Sequence, residues 1–279
     1  SLLLAAPERA SELFFLKHNC IHEEEVQTLS KSSLGLTADG SNIETVLGIR
    51  WYAQKNYGHD IKYIPSAMIP TVKRAIERLI TMSEKPRYLA YLLETSDKFP
   101  RHELCPKVPD DQLLKRSEVL LAMGFDVSQY DDNQANKSGR QFLKARDIPI
   151  SDYEVCLNDL NIILRNRLPK GFPYISFKTG NGVQVKWSEA LFCCFANQFH
   201  RDKPTIYSEL WMPHIDTLNE DLSPTKKKLR GKDELSNVQS IFQRWGYGDY
   251  SMSTHQFRHL LNTIANTNGM DSMLLAKWS

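Results

Sequence analysis

His255 and Arg258 stand three residues apart near the end of the chain, and His259 follows Arg258 directly. Apolar residues recur at helical spacing after them until "NTNG", so this stretch predicts a helix. Arginine offers a fixed planar charge that can hold a phosphate through two hydrogen bonds, and histidine holds or passes a proton near neutral pH. On one helical face, the pair suits a phosphate that gains charge in a transition state. An ordinary surface pair on an amphipathic helix has the same spacing.

The elements that would position such a pair are helices and short strands. "VLGIRWYAQKNYGHDIKYIP" contains two β-rich runs around a polar turn, which predicts a hairpin or a piece of a small sheet. "IPTVKRAIERLITMSE" carries one apolar stripe at helical spacing and predicts an amphipathic helix. Residues 1–34 are predicted to be helical, with Glu23 to Glu25 in a solvated turn.

The middle of the chain predicts more helices and one more hairpin. "SQYDDNQANKSGRQ" is polar and predicts a loop, whereas "TGNG" predicts the turn of a hairpin. The predicted helices are 87–96, 110–123, 151–166 with Ser151 as N-cap, 188–200 and 234–247. The predicted fold class is therefore mainly α with short β hairpins, that is α+β.

Composition narrows the class of protein. The chain is 41% hydrophobic and 24% charged with a net charge of +2, which is typical of a globular protein. Its five cysteines are odd in number and form no C-x-x-C, so they indicate neither a disulfide framework nor a zinc ribbon. The adjacent Cys193 and Cys194 stand among phenylalanines and are predicted to be core residues. Cysteines of this kind indicate a reducing compartment, so we expect a cytoplasmic location. We expect no membrane span, because no apolar run is long enough to cross a bilayer.

Three stretches resemble the tyrosine recombinases, or phage-integrase family, in type and in order: "APERASELFFL", "WYAQKNYGHDIKYIP" and "THQFRHLLNTIA". Arg9 with Glu12 resembles the family's arginine and glutamate on an early helix. Lys55 resembles the lysine of its β-hairpin, and His255 with Arg258 resembles its H-x-x-R motif. The resemblance covers roughly residues 1–83 and 250–279. It implies a recombinase catalytic domain over 1–279 in which 84–250 is a long, family-atypical middle segment.

The resemblance also implies a role for each residue. Arg9 and Arg258 would bind the scissile phosphate, Lys55 would be the general acid, and His255 a hydrogen-bond donor or base. Glu12 would hold Arg9 by an ion pair. A tyrosine would form a covalent phosphotyrosine, and neither a metal nor another cofactor is expected. Double-stranded DNA would be the partner, with a homotetramer on paired sites and a bacterial, nucleoid-associated location.

The nucleophile of that scheme is not among these residues. All eleven tyrosines precede Arg258, whereas the family's tyrosine follows the H-x-x-R helix. We therefore expect a fragment of a longer protein that binds DNA without cleaving it and is monomeric by itself. Trp278, in "LAKWS", is a candidate third phosphate donor through its indole N–H.

Several alternatives remain open at this stage. Lys62 competes with Lys55 for the role of the hairpin lysine. "HNCIHEEE" suggests a metal site, but its spacing matches no compact zinc motif, and a polar loop is favoured. The basic stretch "KKKLRGK" is either a solvated segment or a DNA-backbone contact. The residues of this stretch that would bind DNA are Lys226, Lys227, Lys228 and Arg230.

Competing functions are also open. A DNA-binding module of the same descent that has lost catalysis would keep the motifs without the chemistry. A helical scaffold protein with no DNA role would carry H-x-x-R by chance. "SEVLLAMGF" and "NDLNIILRN" are predicted to be core helices, and an inserted helix-turn-helix is the alternative.

Overall fold

The computed structural model describes residues 2–5, 9–29, 41–52, 59–128, 130–175, 184–200, 203–228, 235–248, 250–271 and 273. Over these residues the protein is a mixture of helix and sheet, which confirms the α+β class in general terms. The elements in chain order are α1 (Leu2–Ala5), α2 (Ala10–Leu13), β1 (Ile21–Leu29), β2 (Ser41–Tyr52), β3 (His59–Tyr63), α3 (Ile69–Thr95), α4 (Arg116–Ala122), α5 (Asp132–Lys144), α6 (Leu157–Asn166), β4 (Cys194–Ala196), β5 (Ile206–Trp211), α7 (Ile215–Leu222), β6 (Thr225–Lys228), β7 (Leu235–Val238), α8 (Ile241–Arg244) and α9 (Thr254–Thr267).

The chain forms two compact units. Unit 1 comprises Ser1–Leu79, Thr179–Val183 and Pro213–Ser279, and unit 2 comprises Ile80–Lys178 and Gln184–Met212. Both ends of the chain therefore belong to unit 1. Residues 213–250, which the sequence assigns to the middle segment at 84–250, group with those ends and not with unit 2.

Unit 1 contains a three-stranded antiparallel sheet in the order β1–β2–β3. Leu47, Ile49 and Trp51 of β2 are almost fully buried, while Arg50 between them is exposed. This alternation follows from the period of a strand, in which successive side chains point to opposite faces. The two predicted β runs are confirmed as parts of β2 and β3, and the predicted amphipathic helix is confirmed as the start of α3.

Strand β1 corrects the prediction that residues 1–34 are helical. Among the described residues of that range the helices are α1 and α2, and Ile21–Leu29 pairs along its length with β2. Glu23, Glu24 and Glu25 are exposed on this edge strand. Charges on an edge strand oppose pairing with other chains, and here they also hide the apolar alternation by which a strand is recognised in a sequence.

Unit 2 has its own hydrophobic core, to which the later part of α3, helices α4 to α6 and strands β4 and β5 contribute. Leu120 of α4 and Leu160 of α6 are buried in it, which confirms that "SEVLLAMGF" and "NDLNIILRN" contribute core helices. Cys193 and Cys194 are also buried, as predicted. Burial raises the pKa of the Cys194 thiol to about 12.

Helix α5 replaces the polar loop predicted at 128–141. Asp131 caps its N-terminus, because its Oδ1 accepts a hydrogen bond from the Gln134 amide at 2.8 Å. The buried positions of α5 are Gly139, Phe142 and Leu143. This apolar stripe is too narrow to stand out from the polar residues around it.

Four predicted helices differ in the structure. The helix predicted at 110–123 begins at Arg116 and ends at Ala122. The helix predicted from Ser151 begins at Leu157, with Cys156 as its N-cap. Residues 188–200 include strand β4 and are not a helix, and residues 235–238 form β7, so that α8 is only four residues long. β4 pairs with β5 and β7 with β6. Pairing with another segment overrides the local pattern at these strands.

Gly124 lies where strand β5 passes close to the end of α4. Its φ is +72°, and a Cβ atom there would stand 2.5 Å from the Tyr207 backbone nitrogen. We expect Gly124→Ala to lower the free energy of unfolding by about 3 kcal/mol, from left-handed strain of about 1–2 and overpacking of about 1–3. Urea denaturation measures the loss.

Gly246 supplies the matched control. Its φ is +77°, and no atom lies within 4 Å of the position its Cβ would take. Gly246→Ala keeps the backbone strain without the clash, so we expect a loss of about 1 kcal/mol. Equal losses for the two variants would contradict the close approach of β5 to Gly124.

Candidate functional site

Arg9 and Glu12 form an ion pair at the start of helix α2. Arg9 is the N-cap residue with extended backbone, and its carbonyl accepts a hydrogen bond from the Glu12 amide at 2.9 Å. Arg9 Nη1 lies 3.6 Å from Glu12 Oε1. The Glu12 side chain is 7% exposed and that of Arg9 is 34% exposed. The predicted pair is therefore present, with a buried carboxylate beneath a guanidinium that remains accessible.

Trp51 of β2 holds the same carboxylate from the other side. Its Nε1–H donates to Glu12 Oε2 at 3.1 Å, and both side chains are buried. A buried carboxylate is costly unless it is paired and hydrogen-bonded, and Glu12 meets this condition through Arg9 and Trp51. Sequence reasoning did not find Trp51, because the contact spans 39 residues.

Helix α9 carries the H-x-x-R motif and begins at Thr254, immediately before His255. The Thr254 amide donates to Asn219 Oδ1 of α7 at 2.9 Å, which fixes the start of the helix. Phe257 is buried between the two motif residues. His255 is consequently exposed, and Arg258 is half-buried.

His259 lies against His255, one turn further along α9. The two Nε2 atoms are 2.8 Å apart, and the rings meet edge to face with centroids 4.3 Å apart. A hydrogen bond between two imidazole nitrogens requires one donor and one acceptor, and either ring can take either role. The i, i+4 spacing on a helix is the signal that would have identified His259 as the partner of His255.

The two motif segments belong to the same unit. Helix α1, which ends four residues before Arg9, packs against α9, which carries His255 and Arg258. Both segments are in unit 1. Unit 1 thus supplies two fixed cations and an imidazole pair, which are groups that can bind a phosphate and stabilise added charge on it.

The remaining predicted residues are less fully described. Lys55, Arg230 and Trp278 lie outside the described residues. Lys226, Lys227 and Lys228 form most of strand β6, which pairs with β7, although their side chains lie outside the described part. Lys62, the alternative to Lys55, is half-buried on β3 opposite Ile49 of β2.

The stretch "HNCIHEEE" is not the predicted loop from Ile21 onwards, since it enters strand β1. His22 Nδ1 lies 3.2 Å from Arg50 Nη2, and Glu24 is 3.7 Å from the other ring nitrogen of His22. Contacts of His22 with β2 and within its own strand therefore account for this polar group. Among the residues that the structure describes, no three His, Cys, Asp or Glu side chains cluster closely enough to hold a metal ion.

Comparisons with protein-family models, with curated proteins and with solved structures found no match. In the described part of the chain, no helix is both long and apolar enough to cross a membrane. What this site can do therefore follows from the geometry of its own residues.

The Trp51–Glu12 hydrogen bond leads to a stability prediction. Trp51→Phe removes the indole donor and leaves a buried carboxylate oxygen without it, so we expect the free energy of unfolding to fall by about 1–3 kcal/mol. Urea denaturation of the chain measures the change.

Tyr63→Phe is the matched control on the same sheet. It removes a hydroxyl that donates to Glu24 Oε2 at 2.8 Å in an exposed position, so we expect a change within about 0.5 kcal/mol. Equal losses in the two variants would contradict the prediction that the hydrogen bond to the buried Glu12 contributes more to stability than the exposed one.

Proposed function

We propose that this chain is part of the catalytic domain of a tyrosine-type, site-specific DNA recombinase or integrase. The observation that carries the proposal is the buried Glu12 that holds Arg9, in an N-terminal segment whose helix α1 packs against the H-x-x-R helix α9. In an ordinary surface pair of helix neighbours, the carboxylate would be exposed to water and would need no second hydrogen-bond donor. The finer fold, a recombinase-like domain with a long insertion, is part of the same proposal.

The phosphate would be bound by Arg9 and Arg258. Guanidinium groups match the geometry of non-bridging phosphate oxygens and stabilise the charge that they gain in the transition state. His255, which lies against His259, would donate a hydrogen bond or act as a base toward the nucleophile. Glu12 would position Arg9 without contacting DNA.

The leaving 5′-hydroxyl would take its proton from a lysine. Lys55 follows β2 and precedes β3 in the sequence, and the two strands that flank it are paired in an antiparallel hairpin. This sequence position supports the assignment of Lys55 as general acid. Lys62 is the less favoured candidate because it lies within β3, where Ile49 is its partner across the sheet.

DNA binding is the first test. Fluorescence anisotropy with duplexes selected from a random pool should show salt-dependent binding. We expect Arg9→Ala and Arg258→Ala each to weaken it about tenfold or more, because hydrogen bonds to charged groups contribute about 1.5–3 kcal/mol. Each variant should also lower the salt slope by about one.

Arg140→Ala is the control, since Arg140 is an exposed arginine of α5 in unit 2. We expect it to leave the affinity unchanged. A chain with no DNA affinity would favour the helical scaffold function. Binding that is indifferent to Arg9 and Arg258 would favour a DNA-binding module that uses another surface.

The position of the tyrosines gives a second prediction. All eleven precede Arg258, on the wrong side of the H-x-x-R helix for the family's nucleophile. We expect the 279-residue chain to bind a nicked suicide duplex without forming a protein–DNA adduct that survives denaturing electrophoresis. An adduct would show that one of these tyrosines is the nucleophile and would contradict the proposed arrangement.

A further inference from the structure

Three large aromatic side chains stand exposed just before helix α9. Trp245 is 75% exposed, Tyr247 64% and Tyr250 69%. We call these three residues the aromatic trio. Gly246 lies between Trp245 and Tyr247, and Gly248 follows Tyr247; their φ angles are +77° and +66°. Aromatic side chains concentrated in so short an exposed segment indicate a binding surface, because a globular protein otherwise covers such groups.

The backbone of the first two members of the trio is held in place by hydrogen bonds. The Trp245 amide donates to the Ile241 carbonyl at 3.1 Å, and the Tyr247 amide to the Phe242 carbonyl at 2.8 Å. Arg244 is fixed beside them, since it donates to the Gln239 carbonyl and pairs with Asp221. The rings of Trp245 and Tyr247 are therefore presented to solvent by a hydrogen-bonded turn, which a partner would not have to order first.

A lysine strand starts from the same place in unit 1. The Met252 amide donates to the Leu222 carbonyl at 3.3 Å, and the Ser251 and Ser223 hydroxyls are 2.8 Å apart. Leu222 and Ser223 lead directly into β6, whose sequence is Thr-Lys-Lys-Lys. The segment after Tyr250 is thus joined to the base of a strand with three consecutive lysines.

The trio is close in sequence to the candidate site. Tyr250 precedes His255 by five residues, and the segment between them runs into the start of α9. Residues 213–250 belong to unit 1 together with Arg9 and α9. The aromatic trio, the lysine strand and the candidate phosphate-binding residues are therefore parts of one compact unit.

We propose that the aromatic trio and the lysine strand β6 form a binding site for single-stranded DNA, in which the trio stacks on unpaired bases and lysine on one face of the strand contacts the backbone. Every base has a π-face, so aromatic side chains bind single strands with little sequence preference. Lysine is depleted from protein–protein interfaces, whereas it supplies the electrostatic part of nucleic-acid binding. The inference rests on the proposed function for its setting, since strand exchange leaves bases unpaired next to the cut.

The test uses a fluorescently labelled 15-nucleotide oligo(dT) and the whole 279-residue chain. We expect Trp245→Ala and Tyr247→Ala each to weaken binding by about tenfold with an unchanged salt slope, because stacking is not electrostatic. Because neighbouring lysines of β6 face opposite sides, either Lys227→Ala or the double variant Lys226→Ala/Lys228→Ala should instead lower the slope, by about 0.7 per lysine, and the other should not. Trp245→Phe should keep most of the affinity and remove the quenching of tryptophan fluorescence on binding.

Tyr88→Ala is the matched control, because Tyr88 is 59% exposed on α3 in unit 2, and we expect no change in oligo(dT) affinity. Circular dichroism and urea denaturation should be unchanged in the trio variants, since exposed side chains contribute little to folding. Unchanged oligo(dT) affinity in the trio variants would overturn the inference. So would an equal loss on duplex and single strand, or a change in oligomeric state, which would make the trio a protein interface.

The inference and the proposed function fail separately. If Arg9→Ala and Arg258→Ala weaken duplex binding but the trio variants leave oligo(dT) binding intact, the recombinase proposal stands and the single-strand site is wrong. If the trio variants weaken oligo(dT) binding and the two arginine variants change nothing, the single-strand site stands and the phosphate clamp is wrong.

Discussion

The carboxylate of Glu12 is the constraint on which the candidate site depends. A carboxylate that is removed from water must be paired or hydrogen-bonded, and Glu12 has Arg9 on one oxygen and the indole of Trp51 on the other. Helix α2 is only four residues long and cannot be stable by itself. The bond to β2 and the burial of Leu13 and its apolar neighbours fix it in place. Arg9 is thereby held with its charge accessible.

The second constraint is the assembly of unit 1 from both ends of the chain. Helix α1 packs on α9, and α9 is anchored through Asn219 of α7. Unit 2 interrupts the sequence between these parts but has its own core. A separate core lets unit 2 fold without altering the contacts among α1, α7 and α9.

Sequence patterns predicted the elements whose apolar period is uninterrupted. Strands β2 and β3, the first part of α3 and helix α9 were found in this way, and so was the Arg9–Glu12 pair, which is local. Strands β1, β4 and β7 were missed because pairing with distant strands determines them. The Trp51–Glu12 contact could not be predicted for the same reason, because it joins residues that are far apart in the sequence. The i, i+4 contact of His255 with His259 was within reach of the sequence.

The assignment of residues 213–250 matters most for function. Their basic and aromatic residues appear in the sequence as parts of a long middle segment, remote from the motifs at the two ends. In the structure they belong to the unit that contains those motifs, and hydrogen bonds join Ser251 and Met252 to the residues that lead into β6. A net charge of +2 over 279 residues conceals this concentration of lysines, because affinity for a polyanion depends on where cations gather and not on their sum. A short exposed turn can add stacking to such a cluster at little cost to the core, since none of the trio is buried.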